Sequence, residues 1–474
     1  MTTVLRPEGP ESSARKTMLT PARRTFLEHL FPGEAASFDE AVRYVHGSDA
    51  SRLHGMPMGV VRPERLEQVV ELLAWAQAER VPLIPRGRAT GAAGAVVPTA
   101  GGLVVSTAGL RRIVSIDADD FTATVEPGVV TGELQKACAA QRRFYPPDPG
   151  SVNISTIGGN IATCAGGMRA VKYGVTREWV LGLTAVLPGG EVVRTGGRCH
   201  KDVAGLDLTR LFVGSEGTLG FITEAILKLA PLPEASASLM AGFADMEALM
   251  AAARAVFAAG LLPSAMEFFD APTLRAVGLT APSVPWPEGT AAALLFRLDG
   301  SRAAVSAELA ALASHLQAAT FVESASEATA EEALWELRRL VSPALHKLGP
   351  DKHRDDVAVP RGAIARAVAA FHAIGERRGV TVVCFGHLGD GNIHTDVMFD
   401  AADPRQKSSA DLAKDDILRT VLELGGTLTG EHGVGLAKLP YFSLQIGEAE
   451  RALMRRVKAA FDPHGIMNPQ KAYA

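Results

Sequence analysis

A chain of 474 residues exceeds what one ordinary hydrophobic core organises, so two or three domains are expected. The formal net charge of -4, with acids and bases interspersed, offers no basic stripe for nucleic acid and no polybasic anchor for anionic lipid. Cys138, Cys164, Cys199 and Cys384 are widely spaced, and without a C-x-x-C pair they read as reduced thiols rather than zinc or iron–sulfur ligands. The first 24 residues mix charge with Pro and Ser and contain no apolar run long enough for a signal peptide or a membrane span. A soluble cytoplasmic protein with no direct membrane span is the expectation.

Residues 1–56 read as a mobile tail and a short helical lead with Phe26, Leu27, Leu30 and Phe31 on its apolar face. From Gly59 the pattern becomes α+β. A helix is predicted over 63–78 and another over 130–141, with strands at 81–85, 102–106, 113–116, 122–126, 181–187, 191–194 and 221–229. Pro231 and Pro233 interrupt the apolar pattern and mark a boundary, giving a domain over 57–232. Beyond it, strands at 236–243, 291–298 and 320–324 alternate with long Ala-rich amphipathic helices at 246–259, 301–318, 330–348, 361–378 and 407–424. That order fits a split antiparallel sheet covered by helices over 233–460, with 461–474 as a closing segment.

Three glycine-rich loops punctuate the first domain. Pro85-Arg86-Gly87-Arg88-Ala89-Thr90-Gly91-Ala92-Ala93-Gly94 follows a strand and exposes backbone N–H groups with little side-chain bulk, a concavity suited to a pyrophosphate. It lacks the Gly-Lys-Ser/Thr end of a P-loop and the Rossmann G-x-G-x-x-G. Pro147, Asp148, Pro149 and Ser151 lead to Gly158, Gly159, Asn160, Gly166 and Gly167, repeating the idea. Gly214-Ser215-Glu216-Gly217-Thr218-Leu219-Gly220 then runs into the strand containing Ile222. A two-phosphate cofactor with a flat ring system needs such donors and such close approach.

In the last fifth of the chain, Gly386-His387-Leu388-Gly389-Asp390-Gly391-Asn392-Ile393-His394 and Gly430-Glu431-His432-Gly433-Val434-Gly435 place histidines on glycine-framed turns. A strand ending at Phe385 delivers His387 to a turn, and Gly389-Asp390-Gly391 reverses the chain so that His394 returns beside it. Two imidazoles then share one locus. A borderline divalent cation accepts His nitrogen and carboxylate oxygen while keeping a position open, so His387, His394 and Glu431 are candidate metal ligands and His432 remains as a base. Zn²⁺ suits this donor set best, with Mn²⁺ and Fe²⁺ as alternatives. The other histidines lack such company and are read as structural.

These loops, together with Val125-Glu126-Pro127-Gly128-Val129, Lys172-Tyr173-Gly174 and Phe212-Val213-Gly214, resemble the FAD-binding (PCMH) domain of the vanillyl-alcohol-oxidase-type flavoproteins. The two histidine segments resemble the C-terminal domain of FAD-linked oxidases, in the branch of the glycolate oxidase catalytic subunit, FAD-linked D-lactate dehydrogenases and D-2-hydroxyglutarate dehydrogenase. The resemblance spans about Met56 to Lys471. It implies an α+β fold in which a two-subdomain FAD-binding domain is joined to an α+β cap with a ferredoxin-like antiparallel sheet. It also implies FAD at Pro85, Arg86, Gly87, Arg88, Ala89, Thr90, Gly91 and Gly94. Pro147, Asp148, Pro149, Ser151, Gly158, Gly159, Asn160, Gly166, Gly167, Glu216, Ile222 and Asn468 complete that set.

By the same resemblance Arg338 grips a substrate carboxylate, Lys352 or Arg354 assists, Asn392 contacts substrate, and His432 is the base. Arg88 and Ala89 depart from the smaller residue and Gly common in the family, and Gln470 replaces its closing Gly. No His stands at Arg86-Gly87-Arg88, where flavin-tethering members carry one, so non-covalent FAD is expected. The implied activity is oxidation of a D-2-hydroxy acid, D-lactate or glycolate being favoured and D-2-hydroxyglutarate the alternative. Electrons would pass to a quinone, a cytochrome, an electron-transferring flavoprotein or oxygen, and an iron–sulfur partner subunit is compatible with this. A non-catalytic flavin electron-transfer subunit is the alternative of another class.

Overall fold

The computed structural model describes residues 19–281 and 286–471, so the first 18 residues of the expected tail and helical lead over 1–56 lie outside the described residues. Two compact units emerge. The first gathers residues 1–165, 175–231 and 432–474, and the second gathers 166–174 and 232–431.

In the first unit, the strands Gly59–Val61, Leu103–Ser106 and Leu83–Arg86 pair in parallel, and Ala36–Ser37 adds an antiparallel edge. Parallel strands need both faces covered, which is why Val61, Leu83, Leu103 and Val105 are fully buried against Val69, Leu72, Leu73 and Ala76 of the helix Leu66–Glu79. A second sheet is antiparallel, in the order Ile113–Asp117, Thr122–Val125, Phe221–Lys228, Val180–Val186, Val192–Gly196. The long strand Phe221–Lys228 alternates buried and half-buried positions, as one covered face requires. The segment from Thr156, expected as open loop, forms a helix over Ile157–Thr163. Thr156 caps it by accepting from the Gly159 N–H, so a local side-chain acceptor offsets the low helix propensity of the two glycines.

The second unit is built on a seven-stranded antiparallel sheet. Its order is Phe321–Ala325, Ala235–Phe243, Ala292–Gly300, Ala265–Phe269, Thr381–His387, Asn392–Phe399, Asp351–Ala358. Two of these strands were not expected from the sequence. Ala265–Phe269 is a short, wholly buried run, and Asp351–Ala358 is an edge strand whose charges mask its alternation. One face of the sheet meets the helices Ala271–Thr280 and Ala328–Ala344, where Leu274, Leu334, Trp335 and Val341 pack on Ala265, Phe269, Val383, Phe385 and Met398. Segment 166–174 joins this unit because Lys172 Nζ and Tyr173 OH both donate to Asp299 Oδ1, at 2.6 and 2.9 Å.

Asp270 ties a helix to the strand that carries His387. Its Oδ1 accepts from the Thr273 N–H and hydroxyl, while its Oδ2 accepts from the Cys384 N–H at 2.6 Å and meets His372 Nε2 at 2.8 Å. The carboxylate is buried, so its removal strands several donors at once. Asp270→Ala is expected to cost roughly 3 kcal/mol in urea unfolding, whereas a loss within the range of a surface substitution would show the cap to be redundant.

Candidate active site

The sheet register assembles a polar cluster on the face that the helix Ala328–Ala344 covers. His387 ends its strand opposite Glu267, and His394 lies opposite Asp356 on one side and Phe385 on the other. Residues directly opposite in antiparallel strands point to the same face, so Glu267, His387, His394 and Asp356 share one surface. Glycine makes the turns affordable in space: Gly386 has φ +152° and Gly391 φ +93°, and a Cβ on Gly430 would lie 2.0 Å from Asn392 Nδ2. That last contact lets the Gly430-Glu431 backbone close onto the sheet.

Each imidazole has a carboxylate behind it, hydrogen-bonded in one case and at ion-pair distance in the other. His387 Nδ1 meets Glu267 Oε1 at 2.6 Å, and His394 Nδ1 faces Asp356 Oδ1 at 3.6 Å. The opposite ring nitrogens therefore turn inward, with His387 Nε2 and His394 Nε2 3.4 Å apart and Glu431 Oε1 3.6 and 3.8 Å from them. A point equidistant from three atoms so spaced lies roughly 2.1 Å from each, which is the length of a Zn–N or Zn–O bond. The expected ligand set is thus brought together, and the donor chemistry suits a borderline divalent cation.

Asp356 also offers a carboxylate oxygen within 4.8 Å of the His394 and Glu431 donor atoms. Its oxygens are nevertheless committed: Oδ1 accepts from Asn392 Nδ2 at 2.6 Å, and Oδ2 accepts from the N–H groups of Gly430 and Glu431 at 3.0 and 2.7 Å. Asp356 thereby orients His394 and fixes the backbone of Glu431 rather than offering a free ligand atom. The buried Asn392 Oδ1 accepts no hydrogen bond.

Glu267 was invisible to pattern reading, although a lone acid in the buried run Ala-Met-Glu-Phe-Phe is itself a signal. Burial would raise its carboxyl, but the His387 and Arg338 charges outweigh that and hold it low. Burial would likewise push His387 down, and the Glu267 and Glu431 carboxylates reverse this, placing it well above its ordinary range. Arg338 Nε donates to Glu267 Oε2 at 2.6 Å and its guanidinium lies 5.0 Å from the Phe385 ring centroid. The expected carboxylate-gripping arginine is therefore anchored through Glu267 to His387. Lys352 Nζ and the exposed Arg354 turn to Ser342 and Asp396. His432 follows Glu431 directly in the chain and is half-buried.

In the first unit the expected cofactor loops come together around glycines with no room for a side chain. A Cβ on Gly87 would lie 2.5 Å from Thr156 Oγ1, and one on Gly158 would lie 2.5 Å from Pro127 Cβ, whereas Gly91 and Gly150 face open space. Arg88 is exposed, and Pro85, Thr90, Asp148, Ser151 and Ile222 are half-buried, while Gly94, Pro147, Pro149 and Asn160 are buried. Arg86 donates to the Ser48 carbonyl at 2.8 Å, and Gly166 and Gly167 belong to the second unit. Glu216 is buried and its Oε1 accepts from the N–H groups of Val434 and Gly435 at 2.7 and 3.1 Å, latching the loop that follows His432. Asn468 Nδ2 donates to the carbonyls of Ala95 and Glu216 at 2.9 and 2.6 Å, and Lys471 Nζ to that of Val97 at 2.8 Å.

Left-handed backbone occurs here at residues other than glycine: Ala89 at φ +55°, Cys164 at +51°, Glu216 at +52°, Asn468 at +42° and Gln470 at +63°. The two positions where this chain departs from glycine, 89 and 470, are thus positions where the backbone favours it. The cradle, the latch and the strain together fit a cofactor with closely approached phosphates.

Residues 57–196 match the model of the FAD binding domain, and residues 232–472 that of the C-terminal domain of FAD linked oxidases. The chain is 41% identical over 443 residues to glycolate oxidase subunit GlcD of Bacillus subtilis, covering 92% of this chain and 94% of that protein. It is 34% identical over 427 residues to D-2-hydroxyglutarate dehydrogenase of Stutzerimonas stutzeri, covering 88% and 91%. Its fold matches that of p-cresol methylhydroxylase with a TM-score of 0.79 at 17% identity, over 96% of this chain and 98% of the other. The expected α+β architecture, a PCMH-type FAD-binding domain with an antiparallel cap, is the one observed.

Two substitutions test these assignments. Glu267→Gln should weaken zinc binding roughly 10–100-fold, as loss of a carboxylate behind a ligating imidazole does, in competition with a chromogenic chelator; unchanged affinity would remove Glu267 from the site. Ala89→Val should lower stability by roughly 1–2 kcal/mol while Ala89→Gly does not, read by thermal unfolding with flavin content; equal behaviour would show that the left-handed backbone is not maintained.

Proposed function

The chain belongs to the FAD-linked oxidases, and on that footing we propose that it oxidises a D-2-hydroxy acid to the 2-oxo acid using non-covalent FAD and a divalent cation. D-lactate or glycolate is the favoured substrate, and Zn²⁺ the favoured ion. The observation that carries the proposal is the triangle of His387 Nε2, His394 Nε2 and Glu431 Oε1, with sides of 3.4, 3.6 and 3.8 Å. Similarity to both a glycolate oxidase subunit and a D-2-hydroxyglutarate dehydrogenase supports the reaction class, and D-2-hydroxyglutarate is the alternative substrate.

When bound, the cation supplies Lewis-acid polarisation of hydroxyl and carboxylate oxygens, and FAD supplies the hydride acceptor. The protein residues divide the remaining work. Arg338, pinned through its Nε to Glu267, presents its guanidinium to the substrate carboxylate and so selects an acid. Asn392, fixed by the two bonds its Nδ2 donates to Asp356 and the Val357 carbonyl, offers its Oδ1 to the substrate. His432 accepts the proton of the 2-hydroxyl as C2 is oxidised. Glu216 holds the Val434-Gly435 backbone and with it the position of His432.

Electrons then leave to a non-pyridine acceptor such as a quinone, a cytochrome or an electron-transferring flavoprotein. Similarity to a protein described as a subunit supports an assembly that includes a partner, of which an iron–sulfur protein is one form. No helix among the described residues is long and apolar enough to cross a membrane. Four free cysteines support a reducing, cytoplasmic setting.

Incubating the purified chain with a chelator should abolish dye-coupled oxidation of D-lactate or glycolate while the flavin absorbance persists, and adding Zn²⁺ or Mn²⁺ should restore it. Oxidation that survives complete metal removal would refute the metal reading. His432→Ala should lower kcat by roughly two to four orders of magnitude with FAD retained; undiminished turnover would exclude His432 as the base.

A further inference from the structure

One acid on the catalytic face has no part in the scheme above. Alternate residues of the strand Asn392–Phe399 share a face, so Asp396 stands on the same side as Asn392 and His394, about 7 Å along the strand from His394. The edge strand places Arg354 opposite Asp396, as it places Asp356 opposite His394, and Lys352 lies one pleat further along the same face. Asp396 is fully buried, yet neither carboxylate oxygen accepts a direct hydrogen bond. Lys352 Nζ lies 3.6 Å from Oδ2 and Arg354 Nε 3.8 Å from Oδ1. Both cations also donate to Ser342: Lys352 Nζ to its O and Oγ at 3.3 Å, and Arg354 to its Oγ at 2.5 Å.

The buried Asp270 and Asp356 are held by several short hydrogen bonds, whereas Asp396 is held by its two ion pairs, with Lys352 and Arg354. Arg354, about 7 Å along the strand from the His394 position, and Lys352, one pleat further on the same face, form the cationic site that the second carboxylate of a dicarboxylate would seek. Asp396 already provides a carboxylate there. We propose that Asp396 is a specificity-determining residue that neutralises Lys352 and Arg354 in cis and thereby selects monocarboxylic D-2-hydroxy acids over dicarboxylic ones. This inference rests on the 2-hydroxy-acid reading of the site. A dicarboxylate entering beside Asp396 would meet a buried like charge, whereas the short side chain of lactate or glycolate does not reach it.

The test is kcat/KM of the purified, flavin-loaded full chain for D-lactate, glycolate, D-malate and D-2-hydroxyglutarate with a dye acceptor. The wild-type chain should favour the monocarboxylates by about a hundredfold. Asp396→Asn, which keeps the shape and removes the charge, should move that ratio at least roughly tenfold toward the dicarboxylates. Adding Lys352→Met to Asp396→Asn should erase the gain. A wild-type preference for dicarboxylates, or an Asp396→Asn ratio equal to wild type, overturns the proposal while leaving 2-hydroxy-acid oxidation intact. If the variant does not fold with flavin bound, the wild-type ratio decides. Failure of the wild-type chain to oxidise any of the four acids overturns the parent reading, and this one with it.

Discussion

The contact between Glu267 and His387 organises the catalytic face of this protein. An ionised carboxylate with no exposure to water is tolerable only with strong partners, and Glu267 has an imidazole at 2.6 Å on one oxygen and a guanidinium at 2.6 Å on the other. That pairing sets three things at once. It fixes the His387 ring so that Nε2 points toward His394 and Glu431, it raises the basicity of that imidazole, and it anchors the Arg338 guanidinium. Asp356 repeats the device for His394 and also clamps the backbone of Glu431. The three candidate ligand atoms are thus positioned by buried carboxylates behind them.

The first unit solves a different physical problem with different means. Its loops approach a cofactor through backbone rather than side chains, so the constraint appears as glycines whose Cβ would collide and as residues forced into the left-handed region. Glu216 joins the two halves of that problem, because the same residue that takes a left-handed backbone also accepts from Val434 and Gly435 beyond His432. Lys458, buried with Asp462, donates to the Thr218 and Met467 carbonyls and so ties the closing segment to the same loop. Strain and buried charge are concentrated where the chemistry is proposed, and the surrounding parallel sheet supplies the apolar burial that offsets them.

Much of this was legible in the sequence, for reasons that particular residues make plain. The glycine-framed His387 and His394 announce a hairpin whose register is set by the turn, so their convergence follows from spacing alone. The helices with regular apolar spacing and the β-rich segments from Leu83 to Lys228 fall close to where periodicity puts them. What escaped was nonlocal. Glu267 lies 120 residues from His387, and its strand is too short and too apolar to distinguish from core without knowing its neighbour. Asp351–Ala358 carries lysine, histidine, arginine and aspartates, so its β character comes from pairing with Asn392–Phe399 and not from its own pattern. The helix Ile157–Thr163 was hidden by its glycines, whose low propensity the Thr156 cap and tertiary packing override.

The proposed chemistry depends on a cation held by two imidazoles and one carboxylate. X-ray absorption spectroscopy at the metal edge, on protein purified with its native complement of metal, tests it most directly. A first shell of nitrogen and oxygen at about 2.0–2.2 Å, with the multiple-scattering signature of two imidazoles, is the predicted result. A sulfur-containing shell would move the ion to Cys384, Asp270 and His372, and a protein that oxidises D-2-hydroxy acids with no bound metal would contradict the account outright.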